Sequence, residues 1–233
     1  MVYNRLKSIQ DWLLAGSCEL CAAPLEGTGA LCRQCEDSLT KPDSRCNICA
    51  AALPAGTYPH SCGHCQQEPP AFDSVHAALI YAQPVSGLIH DLKYNKKLYL
   101  ARTLGELLAK SVANETSIGP DILFPVPLHR ARLRQRGYNQ SLEIAKPVSQ
   151  HLGIAIDFNL VSRIKNTEPQ TNLKPKHRAG NVKHAFKPMR SVEGKRIALI
   201  DDVMTTGFTV NAIAKILKVA GAKEVQVWVV ARA

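Results

Sequence analysis

Residues 196–210, RIALIDDVMTTGFTV, constrain this chain more tightly than any other stretch of it. Ile197, Ala198, Leu199 and Ile200 form a short apolar run of the kind buried in a parallel sheet, and helical periodicity begins at Val210 and runs to Val219. Thr205-Thr206-Gly207-Phe208-Thr209 joins the two. A turn leading from a strand into the amino end of a helix presents N–H groups without intrahelical acceptors, together with the positive end of the helix dipole, and so favours an anion. Gly207 allows close backbone approach, and the threonine hydroxyls add donors. Asp201 and Asp202, immediately upstream, would repel a phosphate. They are expected to accept hydrogen bonds from vicinal ribose hydroxyls, with a Mg2+ ion near a diphosphate offsetting the repulsion. Threonines that merely cap a helix are the bland alternative.

The eight cysteines constrain the other end of the chain. All fall in C-x2-C pairs: Cys18/Cys21, Cys32/Cys35, Cys46/Cys49 and Cys62/Cys65. Each such turn aims two thiolates at one tetrahedral centre, so two pairs complete a closed four-sulfur shell of the structural Zn2+ type. Disulfides would satisfy the same arithmetic, but a reducing compartment disfavours them, and a redox C-x-x-C has no need of four copies. The expected grouping is sequential, Cys18, Cys21, Cys32 and Cys35 on one Zn2+ and Cys46, Cys49, Cys62 and Cys65 on the other, with an interleaved arrangement left open by the spacing. His60 and His64 are read as surface side chains, because the cysteines already supply eight donors. With few aliphatic residues, this stretch is expected to depend on metal for its fold.

No run of 18 apolar residues exists, and the opening MVYNRLKSIQDWLLAGS is broken by Gln10-Asp11 before an h-region can form. The reading is a cytoplasmic protein without membrane insertion. In that compartment the Asn114-Glu115-Thr116 triplet has no meaning as a glycosylation site. Formal net charge is +10, and its distribution is uneven. Residues 1–70 hold 5 Lys and Arg against 7 Asp and Glu, whereas residues 90–190 hold 18 against 7. Positive potential is thus concentrated around the phosphate loop, as expected for a polyanionic partner: a diphosphate-bearing substrate at the small end, single-stranded DNA at the large end.

Pro69-Pro70 marks a break, giving an expected organisation of an N-terminal helical segment over 1–17, a double zinc ribbon over 18–68 and an α/β domain over 71–233. Within the last, residues 75–81 read as a strand, residues 85–112 as helix interrupted by Lys93-Tyr94-Asn95-Lys96-Lys97, and residues 121–128 as a second strand. Lys93 is placed to reach an anion. Arg130, Arg132, Arg134 and Arg136 then crowd seven residues ahead of Gly137. A guanidinium fork matches phosphate oxygens, and a glycine at a helix entrance admits a second anion, so Arg136 and Gly137 are assigned to the pocket. Residues 162–188 are polar, with Gln170, Lys174, Lys176, His177, Arg178, Asn181 and Lys183, and read as a loop that either closes over the substrate or lies on the surface. Residues 225–230 supply a last buried strand. Strands alternating with helices give a mostly parallel sheet with helices on both faces and the site at the carboxyl ends of the strands.

The IDDVMTTGFT segment resembles the phosphoribosyl diphosphate (PRPP) signature of type I phosphoribosyltransferases. That resemblance implies Asp201 and Asp202 at the ribose, and Thr205, Thr206, Gly207, Phe208 and Thr209 at the 5′-phosphate, with PRPP bound alongside Mg2+. Hypoxanthine-type members carry an Asp where Thr205 stands, and a threonine cannot act as that base near neutral pH. The whole order resembles the ComF family of bacterial competence proteins: paired-cysteine ribbon, Leu92-Lys93-Tyr94, PVPLHRARLRQRGYNQ, then residues 178–186 and 200–209. Membership implies the handling of internalised single-stranded DNA in natural transformation, with partners in the competence and helicase machinery. Two functions stay open: a binding protein that kept the pocket, and an active phosphoribosyltransferase acting on a nucleobase or other nitrogen acceptor.

Overall fold

The computed structural model describes residues 16–233 apart from 26, 28, 43, 55, 57–59, 114–118 and 166–184. The helical segment expected over 1–17 falls almost wholly outside the described residues. So do the Asn114-Glu115-Thr116 triplet and Gln170 to Lys183 of the polar loop. By contacts the chain divides into two compact units, Met1–Thr40 and Lys41–Ala233.

In the first unit, a helix α1 (Arg33–Asp37) starts immediately after Cys32. The first C-x2-C turn is tied by Cys18 N–H donating to Ala23 C=O at 2.8 Å and Ala22 N–H donating to Cys18 C=O at 2.9 Å.

The second unit begins with the same device. Cys46 N–H donates to Ala51 C=O, Ala50 N–H donates to Cys46 C=O, and a short helix α2 (Gly63–Gln67) starts after Cys62. It continues into a four-stranded, all-parallel sheet of β1 (Ser74–Ile80), β6 (Glu224–Arg232), β5 (Arg196–Met204) and β2 (Ile122–Pro125), in that spatial order. The β6 strand is central to this order, and Val225 and the run from Val227 to Ala231 are buried, the signature of a strand covered on both faces. Helices α3 (Val85–Tyr94) and α4 (Leu100–Ala113) follow β1, and the non-helical residues between them, 95–99, begin inside the polar patch that interrupts the apolar pattern. Helix α4 packs against β1 and β6, and α6 (Gln140–Leu152) against β5 and β2. The two helices meet closely at Gly105, where a Cβ would stand 2.3 Å from Pro147 Cγ and 2.5 Å from the Ile144 carbonyl oxygen. Helix α7 (Phe208–Val219) packs against β6, its Val210, Ile213, Ala214 and Leu217 sharing a core with Ile197, Leu199, Val225 and Val227.

Two features differ from expectation. The arginine cluster is itself a short helix, α5 (Arg130–Arg136), in which Leu133 N–H donates to His129 C=O and the His129 ring caps Ala131 N–H. The ends of the polar 162–188 stretch pair as an antiparallel two-stranded sheet of β3 (Val161–Arg163) and β4 (Phe186–Pro188), because Val161 and Phe186 have an apolar core to enter. Cys46, Cys49, Ala50 and Cys65 belong to the same buried cluster as Phe72, Val75 and the sheet residues, so by contacts the second ribbon joins the sheet unit.

Candidate functional site

Strand β5 runs to Met204, so Asp201 and Asp202 stand inside it rather than in the turn. Neighbouring strand residues point apart, and the two carboxylates accordingly meet different helices. Asp201 Oδ1 accepts from Ser141 Oγ at 2.8 Å, at the amino end of α6, while Asp202 Oδ1 meets Lys93 Nζ at 2.7 Å, in the last turn of α3. Burial pushes the Asp201 carboxyl up, the Asp202 charge pushes it further, and Lys93 and the Ser141 hydroxyl oppose both, leaving it at about 7. Burial alone would lower the Lys93 ammonium pKa, but Asp202, and behind it Asp201, outweigh that and hold it above its ordinary value.

The turn that follows is shorter than expected. Helix α7 starts at Phe208 with Gly207 as N-cap in the left-handed region, φ 76°, so Phe208 and Thr209 already belong to the helix's first turn. A cleft of about 210 Å³ at the carboxyl ends of the strands is lined by Asp201, Asp202, Thr205, Gly207, Thr209 and Arg136 among the residues assigned from sequence. Thr206 and Phe208 flank it without lining it, and Thr206 Oγ1 is a buried hydroxyl with no hydrogen-bond partner among the described residues. Asp202 Oδ2 is in the same condition. Buried polar atoms without partners are costly, and two of them beside an anion-favouring turn point to a polar ligand there.

Gly137 does something other than admit an anion. It caps α5 at φ 88°, its N–H donates to Leu133 C=O at 2.8 Å, and it lies outside the cleft lining. The N-cap of the next helix is Asn139, whose side chain accepts from Ser141 N–H. Tyr138 is likewise committed, its hydroxyl donating to the Leu92 carbonyl. Tyr94 remains 55% exposed, with the Arg136 guanidinium 5.5 Å from its ring centroid.

Cations share the cleft lining with the carboxylates. Arg132, Arg136 and Arg163 line it together with Lys93, whereas Arg130 and Arg134 are exposed on the outer side of α5. Burial and the Arg136 charge lower the Arg132 pKa, and burial with the Arg132 charge brings Arg163 down to about 10 despite Asp201. Guanidinium groups crowded to this degree form a site for an anion with several oxygens. Arg163 had no signal in the sequence, because it reaches the cleft only through the β3–β4 pairing.

The cysteines form two groups, Cys18, Cys21, Cys32 and Cys35, and Cys46, Cys49, Cys62 and Cys65, with all four sulfurs of each group within 4.8 Å of one another. This is the sequential grouping. Cys21 Sγ to Cys32 Sγ is 3.7 Å and Cys49 Sγ to Cys62 Sγ is 3.6 Å, close to the tetrahedral edge of ~3.8 Å implied by Zn–S bonds of ~2.3 Å. Burial raises Cys18, but N–H groups of Cys32, Cys21 and Leu20 outweigh it and bring the thiol to about 6. Burial raises Cys46 too, and N–H groups of Cys49, Cys62 and Ile48 bring it to about 7. Cys35 is pushed up by its bonds to Cys21 and Cys32, and Cys65 by burial and by Cys49 and Cys62. Four thiolates at this spacing need a cation at their centre. Both clusters are compatible with structural zinc sites.

Among the described residues, no helix is long and apolar enough to cross a membrane. Residues 138–233 match the family described as phosphoribosyl transferase domain, and residues 9–66 the family described as double zinc ribbon domain. The chain is 37% identical over 223 residues to the DNA utilization protein YhgH of Escherichia coli K12, covering 93% of this chain and 97% of that one. It is 36% identical over 210 residues to competence protein F of Haemophilus influenzae, covering 87% and 90%. A shorter likeness, 30% over 121 residues, covers 51% of this chain and 22% of an amidophosphoribosyltransferase of Staphylococcus aureus. The chain therefore belongs to the YhgH and competence protein F family, with a double zinc ribbon ahead of a phosphoribosyltransferase-like fold.

Proposed function

We propose that this protein handles internalised single-stranded DNA in the cytoplasm during natural transformation, and that its cleft binds PRPP, or a related ribose phosphate, together with Mg2+. The observation that carries the ligand is the convergence of Asp201, Asp202, Thr205, Gly207 and Thr209 in one cleft with Lys93, Arg132, Arg136 and Arg163. In this reading Asp201 and Asp202 accept from the ribose hydroxyls, Thr205, Thr206, Gly207, Phe208 and Thr209 hold the 5′-phosphate, and Arg136 with Arg132 takes the diphosphate. Gly137 contributes by turning the chain, so that Arg136 faces the cleft. Mg2+ would neutralise part of the diphosphate charge. The DNA role is supported by the relatives' names, DNA utilization and competence protein F, and by the exposure of Tyr94, Tyr99, Lys96, Arg130 and Arg134. One Zn2+ in each cysteine cluster is structural, and the ribbons are surfaces for competence or helicase proteins.

A second reading, an active phosphoribosyltransferase, is favoured by the match of residues 138–233 to the phosphoribosyl transferase domain and by the presence of both Asp201 and Asp202 in the cleft lining. Two assays separate the readings. Salt-dependent binding to single strands that survives Asp202→Asn but weakens about tenfold with Arg130→Ala and Arg134→Ala together supports the binding protein. Diphosphate release from PRPP with a nitrogen acceptor, abolished by Asp202→Asn, supports the enzyme. A zinc-loaded protein that takes up neither PRPP nor single strands contradicts both.

A further inference from the structure

Lys93, Tyr94, Arg132 and Arg136 are shared by the linings of two concavities. One is the cleft holding Asp201, Asp202 and the phosphate turn, and the other, about 270 Å³, is lined by Lys93, Tyr94, Lys96, Arg132, Gln135 and Arg136, with no carboxylate among them. The lysine is held in place from behind: the Tyr138 hydroxyl donates to the Leu92 carbonyl, and Asn95 N–H to that of Asp91 at 3.0 Å. Its ammonium occupies Asp202 Oδ1, and the Lys93 side chain is only 21% exposed. Asp202 Oδ2 is buried without a partner among the described residues.

A carboxylate accepts from two vicinal hydroxyls most directly with one oxygen for each, and here Oδ1 already carries the Lys93 ammonium, which competes for it. For Lys93 to withdraw, its own charge needs a new partner, because neither member of a buried ion pair is stable alone. The cationic second cavity attracts such a partner, a group with several anionic oxygens.

We propose that Lys93 makes the site selective for a ribose 5-phosphate that also carries a diphosphate: the ammonium passes from Asp202 to diphosphate oxygens, and the freed carboxylate oxygen takes the second ribose hydroxyl. A ligand bearing only the 5-phosphate offers nothing to draw Lys93 away and meets a half-occupied Asp202. Lys93 is thus a specificity-determining residue, and this role rests on the PRPP reading above.

The test is calorimetric titration of the zinc-loaded full chain with PRPP and, separately, ribose 5-phosphate, both with Mg2+. Wild type prefers PRPP, and Lys93→Met lowers that preference about tenfold, mainly by weakening PRPP. Because Lys93→Met leaves a buried carboxylate, the comparison is repeated between Asp202→Asn and Lys93→Met/Asp202→Asn, which leaves no unpaired charge; removal of Lys93 lowers the preference there too. Equal weakening of both ligands in both backgrounds overturns the proposal and makes Lys93 a brace for Asp202 alone. Wild type that binds neither ligand overturns the PRPP reading itself, and this inference with it.

Discussion

The two cysteine ribbons are built alike and do different things. Both place an alanine in the left-handed region after the first pair, Ala22 at φ 59° and Ala50 at φ 54°, and both open a five-residue helix on the second pair. Yet the first lies in the Met1–Thr40 unit, while Cys46, Cys49, Ala50 and Cys65 of the second are part of the sheet's own core. Arg232, at the end of the central strand, donates from Nε to the Cys49 carbonyl at 3.0 Å and from Nη1 to the Met204 carbonyl at 3.1 Å. Met204 is the residue directly before the Thr205-Thr206-Gly207 turn. The same C-x2-C pairing, with 10 residues between the pairs in one ribbon and 12 in the other, therefore leaves the energetic role of a metal site undetermined, and the residues around the ligands decide it.

The largest effect should come from unequal loss of metal. Cys65→Ser should destabilise the Lys41–Ala233 unit by ~3 kcal/mol or more, about 10 °C in melting temperature, and abolish PRPP uptake. Cys21→Ser should remove one zinc equivalent and leave the main melting transition and ligand binding in place. Metal analysis and calorimetry on both variants check this, and equal destabilisation would break the comparison. Arg232→Gln comes next: it keeps both metals but cuts the link, so stability should fall by ~2 kcal/mol in denaturant titration and PRPP binding should weaken severalfold.

Much of this was legible in the chain. The pairing of the cysteines in C-x2-C turns follows from spacing, the sheet strands from short apolar runs, and the candidate site from Asp201-Asp202 beside Thr205-Thr206-Gly207, because each is a local signal, whereas spacing alone left the sequential grouping open. What escaped is non-local. Lys93 and Asp202 meet across 109 positions of sequence, and Arg163 enters the cleft only when its strand pairs with residues 186–188. The second ribbon's cysteines count as ligands in a sequence, and nothing there says that they are also core. Gly137 has the composition of an anion-binding entrance, but α5 ends on it and uses its amide.

The smallest expected effect sharpens the link between turn and core. Gly207→Ala puts a Cβ at φ 76° and 2.8 Å from Met204 Cε. The backbone strain should cost ~1 kcal/mol in equilibrium denaturation, since the methionine end can yield, and should weaken 5′-phosphate binding more than it weakens the fold. Stability lost without any change in ligand affinity would detach the turn from the site.

Hydrogen–deuterium exchange of the zinc-loaded protein, with and without PRPP and Mg2+, tests the cradle itself most directly. The predicted result is slowed exchange at the amides of residues 205–210, where the phosphate would accept from the start of α7, and unchanged exchange over residues 18–35. Exchange that stays the same at residues 205–210 while saturating PRPP is present would contradict the assignment of that turn as the phosphate site.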